Sequence, residues 1–398
     1  MNRNGLSMKY KRIDKTGDEL SILGYGCMRY PRENGRINFE ETKKQIRTAI
    51  NNGVNYFDTA YMYPQSEEVL GKILSNGYRE KVKIATKAHI LRIKNIEDMK
   101  KVFQTQLKRL QTSYIDYYLL HDITLKDWEN FKKMGVLSFL ENEKRKGRIK
   151  NLGFSFHGNI NNFKKILDGY DWDMTLIQYN YIDENYQVGE EGLEYASSKN
   201  VGIMIMEPLR GGMLINKLSK ESKKLIEDFP IKKSPAEWAL RWLWNDERID
   251  VVISGMSSQE DIMENVSIAS EVKPNSLNES ELELINKLKK NFKDNVAVDC
   301  TGCGYCLPCP SGVDIPLSFS YYNDKKIFKR RIYYSVFYLL KTVENRSYAS
   351  LCVKCGVCEK KCPQNIPIMK ELDNVKSNLE TWYYKLLYKT FKIVERIR

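Results

Sequence analysis

The sequence predicts a closed (β/α)8 barrel followed by a small cysteine-rich helical domain, on three observations. Eight short segments of strand character alternate with segments of helical periodicity from about residue 21 to residue 270. None of the eight is followed by the Gly-x-Gly-x-x-Gly turn of an open dinucleotide-binding sheet. Eight of the nine cysteines fall in two tight groups beyond residue 299. A barrel occupies about 250 residues, so the 398 residues divide into two domains, expected at 1–294 and 295–398.

Taken in order, residues 8–13 and 19–23 flank Lys15-Thr16-Gly17-Asp18 and read as a hairpin lid ahead of the barrel. Strands are expected at 21–27, 54–58, 83–87, 115–121, 151–156, 175–179, 202–207 and 250–254. Helices are expected at 39–52, 66–75, 96–110, 128–146, 160–167, 190–198, 235–244 and 259–270. Gly53, Gly147 and Asn200 each stand between a helix and the next strand, where a left-handed cap belongs. An amphipathic segment at 280–292 follows, then a linker at 294–299 and a helix near 325–342 between the cysteine groups. A helical tail closes the chain, with Lys385, Lys389, Lys392 and Arg396 on one face and Leu387, Phe391 and Val394 on another. Docking onto the protein is its plain reading; binding a membrane surface or a partner is the other.

The first residues lack a hydrophobic signal region, and no apolar run approaches the roughly 20 residues that span a bilayer. A cytoplasmic protein without a transmembrane segment is therefore expected. The closely spaced cysteines read as metal ligands in a reducing compartment rather than as disulfides; Cys27 stands apart and reads as a core residue. Residues 299–398 carry 17 lysines and arginines against 9 aspartates and glutamates, so most of the net +13 lies there. Such a field steers acidic redox proteins, anionic lipids or nucleic acid, unless it is simply a solvated lysine-rich surface. An acidic redox protein of the ferredoxin or flavodoxin kind is an expected partner, and nucleic acid is not.

Three expected strands end in polar residues of complementary chemistry. Asp58 closes one, Lys87 the next and His121 the third, and Tyr63 follows Asp58 in a tyrosine-rich loop. Barrel enzymes work at that end of their strands. A tyrosine with a pKa near 10 is a poor proton donor or acceptor at neutral pH, and a neighbouring ammonium biases it toward the phenolate. Asp58 paired to Lys87 would keep that ammonium charged, and His121 could donate to a substrate carbonyl oxygen. Each residue alone has a structural explanation; the four together point to carbonyl reduction.

From Met8 to Phe292 the chain resembles an aldo-keto reductase, on Phe57-Asp58-Thr59-Ala60, Tyr63, Ala85-Thr86-Lys87 and Leu119-Leu120-His121. The resemblance implies a nicotinamide cofactor over the C-terminal face of the barrel, hydride transfer to a carbonyl, and a proton from Tyr63. It also implies cofactor contacts. Ser155 and Gln178 match the residues that hold the carboxamide, although Phe156 replaces the usual asparagine beside the serine. Glu207-Pro208-Leu209-Arg210-Gly211-Gly212 stands where the family often stacks an aromatic ring, and Leu209 and Gly211 are expected in a phosphate-contacting loop. The segment 253–265 resembles the adenosine-phosphate site, with Glu264 and Asn265 matching its acidic-amide pair. Gly255 and Asp261 replace its lysine and arginine, which favours NAD(H) over NADP(H). His89 and His157 are further candidates for the mouth of the site.

Cys300, Cys303, Cys306 and Cys309-Pro310 form the first cysteine group, and Cys352, Cys355, Cys358 and Cys362-Pro363 the second. The second is the bacterial ferredoxin run, and the first is one residue shorter between its last two cysteines. Two zinc sites would use the same eight thiolates, but three close cysteines followed by Cys-Pro, repeated, favour two [4Fe-4S] clusters. The insert of about 40 residues makes this half resemble a helical two-cluster ferredoxin. With crossed ligation, Cys300, Cys303, Cys306 and Cys362 take one cluster, and Cys352, Cys355, Cys358 and Cys309 the other. The expected protein is thus a carbonyl-reducing oxidoreductase fused to an electron relay. Two alternatives stand beside it: an electron-transfer or redox-sensing protein whose barrel is a scaffold, and a barrel that uses flavin.

Overall fold

The computed structural model describes residues 7–329, 331–343 and 346–381. It divides into two compact units, one of residues up to Pro208 with Ala236–Asn278, the other of Leu209–Pro235 with residues from Glu279 onward.

The first unit begins with a hairpin, β1 (Tyr10–Arg12) against β2 (Glu19–Ser21). Eight parallel strands follow: β3 (Leu23–Gly26), then, after the short pair β4 (Arg32–Glu33) and β5 (Arg36–Ile37), β6 (Tyr56–Asp58), β7 (Lys83–His89), β8 (Ile115–His121), β9 (Ile149–Phe156), β10 (Met174–Gln178), β11 (Gly202–Met206) and β12 (Val251–Ser254). They close in the order β10-β11-β12-β3-β6-β7-β8-β9, the barrel expected from the alternation. The hairpin is not a lid over the site. Asp18 in its turn takes Lys83 at 2.6 Å, the Tyr117 hydroxyl at 2.7 Å and the Asn151 amide at 3.1 Å, and so seals the end where the strands begin.

Side chains alternate across a strand, so every second residue fills the barrel. Tyr56, Ala85, Tyr117, Leu119, Met174, Leu176, Met204, Val251 and Ile253 form that interior with Ile13 and Leu20 of the hairpin. Gly153 is required by this packing, since a Cβ there would lie 2.2 Å from the Met174 sulfur and 2.7 Å from its carbonyl oxygen.

Helices α1 (Phe39–Asn51), α2 (Ser66–Leu74), α3 (Ile96–Leu110), α4 (Leu125–Lys133), α5 (Val136–Arg145), α6 (Ile160–Leu167) and α7 (Gly189–Ser198) alternate with the strands up to β11. The single helix expected at 128–146 is two, because Gly135 takes a φ of +71° and starts α5. Gly53, Gly147 and Asn200 hold φ of +92°, +73° and +55°, the left-handed caps foreseen for them.

Leaving β11, the chain forms α8 (Met213–Asn216) and α9 (Lys220–Asp228), neither expected, and returns through α10 (Pro235–Trp244) to β12 and α11 (Gln259–Glu271). The second unit continues with α12 (Glu279–Asn295), α13 (Ile315–Phe328), α14 (Arg331–Val343) and α15 (Ile368–Leu379). The helix expected at 325–342 is broken at Lys329, whose φ is +54°. Phe319, Tyr322, Tyr338, Leu339, Leu372, Val375 and Leu379 form the core of this unit, and Cys306 and Cys358 are buried within it. The basic tail face at Lys385, Lys389, Lys392 and Arg396, with Leu387, Phe391 and Val394, lies outside the described residues.

Candidate active site and cysteine pockets

The inward register of the barrel delivers the site. Tyr56 faces the interior, so Asp58 does; Ala85 fixes Lys87 in the same way, and Tyr117 with Leu119 fixes His121. These three make the last interior layer at the C-terminal end. Lys87 Nζ lies 2.5 Å from Asp58 Oδ2 and donates to the Thr59 carbonyl at 2.9 Å. Behind the strand, buried Glu67 accepts from Thr86, Gln106 and Arg109, and Gln106 also donates to the Lys87 carbonyl at 3.2 Å. Lys87 is thus held from both faces of β7.

Tyr63 reaches the layer from the loop after β6. That loop is stitched down by Tyr61 N–H on the Lys87 carbonyl (3.1 Å) and by Thr59 Oγ1 to Ser66 Oγ (2.8 Å). The Tyr63 ring meets His121 edge to face with centroids 5.9 Å apart, and Lys87 Nζ lies 5.1 Å from its centre. Burial pushes the Asp58 carboxyl up, and the Lys87 ammonium pulls it back. Burial, with the Lys87 charge next, holds the His121 imidazole well below its ordinary range. A neutral ring beside a charged ammonium, a buried carboxylate and a phenol is equipped to polarise a carbonyl and protonate its oxygen.

His89 stands 5.4 Å from His121, ring to ring, and His157 Nδ1 lies 3.2 Å from Gln187 Oε1. All three histidines of the chain therefore gather at the ends of three adjacent strands. Cys27 is fully buried, as a core residue should be.

In the second unit, Cys300, Cys303, Cys306 and Cys362 line one small cavity, walled by Ile315 and Phe319. Burial pushes the Cys306 thiol up, with Cys300, Cys303 and Cys362 adding to it. Backbone N–H groups of Gln364, Asn365 and Ile366 face Cys362, and that of Gly302 lies 3.4 Å from Cys300 Sγ. Four converging thiols with amide donors suit a group that needs thiolates. Among the second set, Cys352 neighbours Cys358. Both sets pack on one core, since Cys309 and Cys352 also border it.

A family model for the aldo/keto reductases matches residues 22–290. The chain belongs to the aldo/keto reductase family. A 4Fe-4S dicluster domain matches residues 299–366 of this reductase. L-galactose dehydrogenase from Arabidopsis thaliana is 26% identical over 311 residues, spanning 72% of this chain and 96% of the relative. The uncharacterized oxidoreductase YqkF of Bacillus subtilis is 25% identical over 295 residues, 66% of this chain and 92% of its own. Among solved structures, the holo form of aldo-keto reductase AKR11C1 from Bacillus halodurans superposes with a TM-score of 0.60 at 26% identity, covering 71% of this chain and 96% of that one.

The residues expected from the sequence to hold a nicotinamide cofactor are placed as follows. Ser155 Oγ accepts from Asp122 N–H at 2.8 Å, and buried Gln178 donates to Asp183 at 2.8 Å. Phe156, in place of an asparagine, is buried. Sequence reasoning passed over Asn180 and Asp183. Asn180 is fully buried, donates to Asp183 at 2.8 Å and to the Glu207 carbonyl at 3.1 Å, and thereby ties β10 to the end of β11. Two buried amides and a carboxylate directly after an apolar strand were the signal available. Such a row of buried polar side chains at the strand ends fits a ligand with amide and hydroxyl groups.

Asp261 caps α11: its Oδ2 accepts from the N–H groups of Ser257 (3.0 Å) and Ser258 (3.2 Å). Asn265 donates to Ser254 at 2.9 Å, and Glu264 faces solvent. Gly255 lies against Arg29, whose Cδ would be 3.6 Å from a Cβ there. Leu209 and Gly211 belong to the second unit, where Gly211 takes a φ of +63°.

Proposed function

We propose that this aldo/keto reductase interconverts a small carbonyl compound and its alcohol with a nicotinamide nucleotide, and that eight cysteines carry two [4Fe-4S] clusters that relay electrons. The observation that carries the first part is the 2.5 Å pair of Lys87 and Asp58 beneath the Tyr63 ring and beside His121. A bound nicotinamide supplies a hydride, and clusters move single electrons. The chain's own groups do the rest. Tyr63 gives its hydroxyl proton to the oxygen that gains charge as the carbonyl is reduced. The Lys87 ammonium favours the phenolate left behind, and Asp58 holds that ammonium in place. Neutral His121 supplies an N–H to the same oxygen. In alcohol oxidation each transfer reverses.

Ser155 and Gln178 are read as carboxamide contacts, Leu209 and Gly211 as phosphate contacts, and Gly255, Asp261, Glu264 and Asn265 as the adenosine end. NAD(H) is favoured because 255–265 carry no lysine or arginine and a carboxylate occupies the N-terminus of α11. Cys300, Cys303, Cys306 and Cys362 are read as ligands of one cluster on the cavity they share, and Cys352, Cys355, Cys358 and Cys309 as ligands of the other. The basic cysteine-rich half fits an acidic protein donor.

Anaerobically purified protein tests the reading. It should contain about eight irons per chain, bind a nicotinamide nucleotide, and accept electrons from a reduced low-potential ferredoxin or flavodoxin at a rate that falls as salt rises. Stoichiometric zinc without acid-labile sulfide would reject the clusters. Clusters that stay oxidised with every such donor would reject the relay and leave them structural.

A further inference from the structure

Helix α14 is more apolar on its outer side than on its inner one. The side turned into the core of the second unit is Ser335, Tyr338, Leu339 and Thr342, each no more than 3% exposed. Hydrogen bonds fix that orientation. The Tyr338 hydroxyl accepts from the Ala349 N–H at 2.8 Å and donates to Glu380 Oε1 at 3.3 Å, and Thr342 Oγ1 donates to the Tyr338 carbonyl at 2.7 Å. At about 100° per residue, the opposite side is Ile332, Tyr333, Val336, Phe337 and Leu340. Ile332 is 66% exposed, Tyr333 47%, Phe337 40% and Leu340 51%. The Tyr333 and Phe337 rings pack with centroids 4.5 Å apart, and the strip runs for about 12 Å along the helix axis. A helix in contact with water turns polar residues outward, so an apolar outer strip on a helix already anchored by its inner side marks a surface that something else covers.

Charge says what covers it. Between Lys325 and Val343 the sequence has six lysines and arginines and no aspartate or glutamate. Lys326 and Lys329 ahead of the helix and Lys341 near its end are exposed, whereas Lys325 turns inward to Ser335 and the Asn378 carbonyl. Asp324, the acid just ahead, is taken by Lys217 at 2.5 Å. The strip is therefore bounded by cations at both ends. A second copy of the chain seated on the same strip would bring lysine against lysine. An acidic protein would match the lysines but set Ile332, Phe337 and Leu340 against its carboxylates, which lose hydration there without gaining a partner.

We propose that the outer face of α14 docks the cysteine-rich unit onto an anionic lipid membrane surface. Ile332, Phe337 and Leu340 enter the boundary between headgroups and acyl chains, Tyr333 sits at headgroup level, and the flanking lysines meet the lipid phosphates. No helix among the described residues is long and apolar enough to cross a membrane, and a helix lying in the surface needs no such length.

The test is sedimentation of the full-length, anaerobically purified protein with vesicles of phosphatidylcholine containing about 30% phosphatidylglycerol. The protein should pellet with these vesicles, pellet far less with pure phosphatidylcholine, and be released in part as salt rises. The triple variant Ile332→Gln, Phe337→Gln, Leu340→Gln, all at exposed positions, should keep the metal content and circular dichroism of the wild type and bind at least about tenfold more weakly. Lys326→Gln with Lys341→Gln should weaken binding to the anionic vesicles and reduce its salt dependence. A wild type that stays in the supernatant would overturn the proposal, and so would a triple variant that pellets as the wild type does. Should the triple variant lose its metal, the lysine pair decides, and undiminished anionic binding in that variant would overturn the proposal. Binding of an acidic ferredoxin or flavodoxin that the triple variant loses, with no binding to vesicles, would assign the face to a protein and overturn it as well.

Discussion

Tyr63 and His121 meet edge to face, 5.9 Å between ring centroids and 86° between planes, although one comes from a loop and the other from the end of β8. A substrate oxygen placed between hydroxyl and imidazole would meet both donors. Tyr63→Phe keeps the ring and the contact and removes only the proton. Steady-state carbonyl reduction should fall about 10²- to 10⁴-fold while nucleotide affinity stays within about twofold. Full turnover with any accepted carbonyl would reject the assignment of Tyr63.

His121 also leaves a signature in stability. Its folded pKa lies well below the ordinary value, which is near 6.5, so below that pH the unfolded chain binds a proton that the folded one does not. Stability should therefore be complete above about pH 6.5 and fall as pH drops, by up to about 1.4 kcal/mol per pH unit from this group. Urea unfolding of wild type and His121→Asn between pH 8 and 5 should show a shallower loss in the variant. Equal slopes would show that His121 is protonated alike in both states.

Cys362 separates crossed from local ligation. It shares a cavity with Cys300, Cys303 and Cys306, not with the group it follows in sequence. Cys362→Ser should lose the cluster of the first group and keep that of Cys352, Cys355 and Cys358, leaving about four irons per chain. Double variants with Cys303→Ser should lose nothing further, whereas loss of both clusters on adding Cys303→Ser would support local ligation.

Nucleotide preference should turn on Asp261. Its carboxylate takes the Ser257 and Ser258 N–H groups just ahead of α11 and places a negative charge at the helix N-terminus, where a 2′-phosphate would otherwise be welcome. NAD(H) should bind more tightly than NADP(H), and Asp261→Ser should narrow the gap in fluorescence titrations. NADPH binding tenfold tighter than NADH in the wild type would contradict this.

The barrel was legible because period-two apolar strands ending in Asp58, Lys87 and His121 put those residues in one interior layer, whatever the loops do. The cysteine groups were legible because thiolate spacing is local. What escaped was set by long-range contacts. Lys329 and Gly135 break helices whose apolar periodicity runs straight through them, since a single left-handed residue leaves the pattern intact. The hairpin's place under the barrel depends on Asp18 meeting Lys83, Tyr117 and Asn151, partners 65 to 133 residues away. Asp261 was read as facing a ligand, and the sequence Ser258-Gln259-Glu260-Asp261 equally spells the capping box that the structure forms.

The excursion after β11 has a consequence for synthesis on the ribosome. Lys217 emerges 107 residues before Asp324, and Arg210 emerges 89 before Asp299. At roughly 5 to 20 residues per second, Lys217 waits on the order of 5 to 20 seconds for its partner. For about the first third of that interval the barrel also lacks β12, and the faces that α8 and α9 will bury are open to water. A nascent chain paused near residue 290, with β12 still in the exit tunnel, should therefore be a better substrate for chaperones and proteases at 209–235 than at any earlier loop.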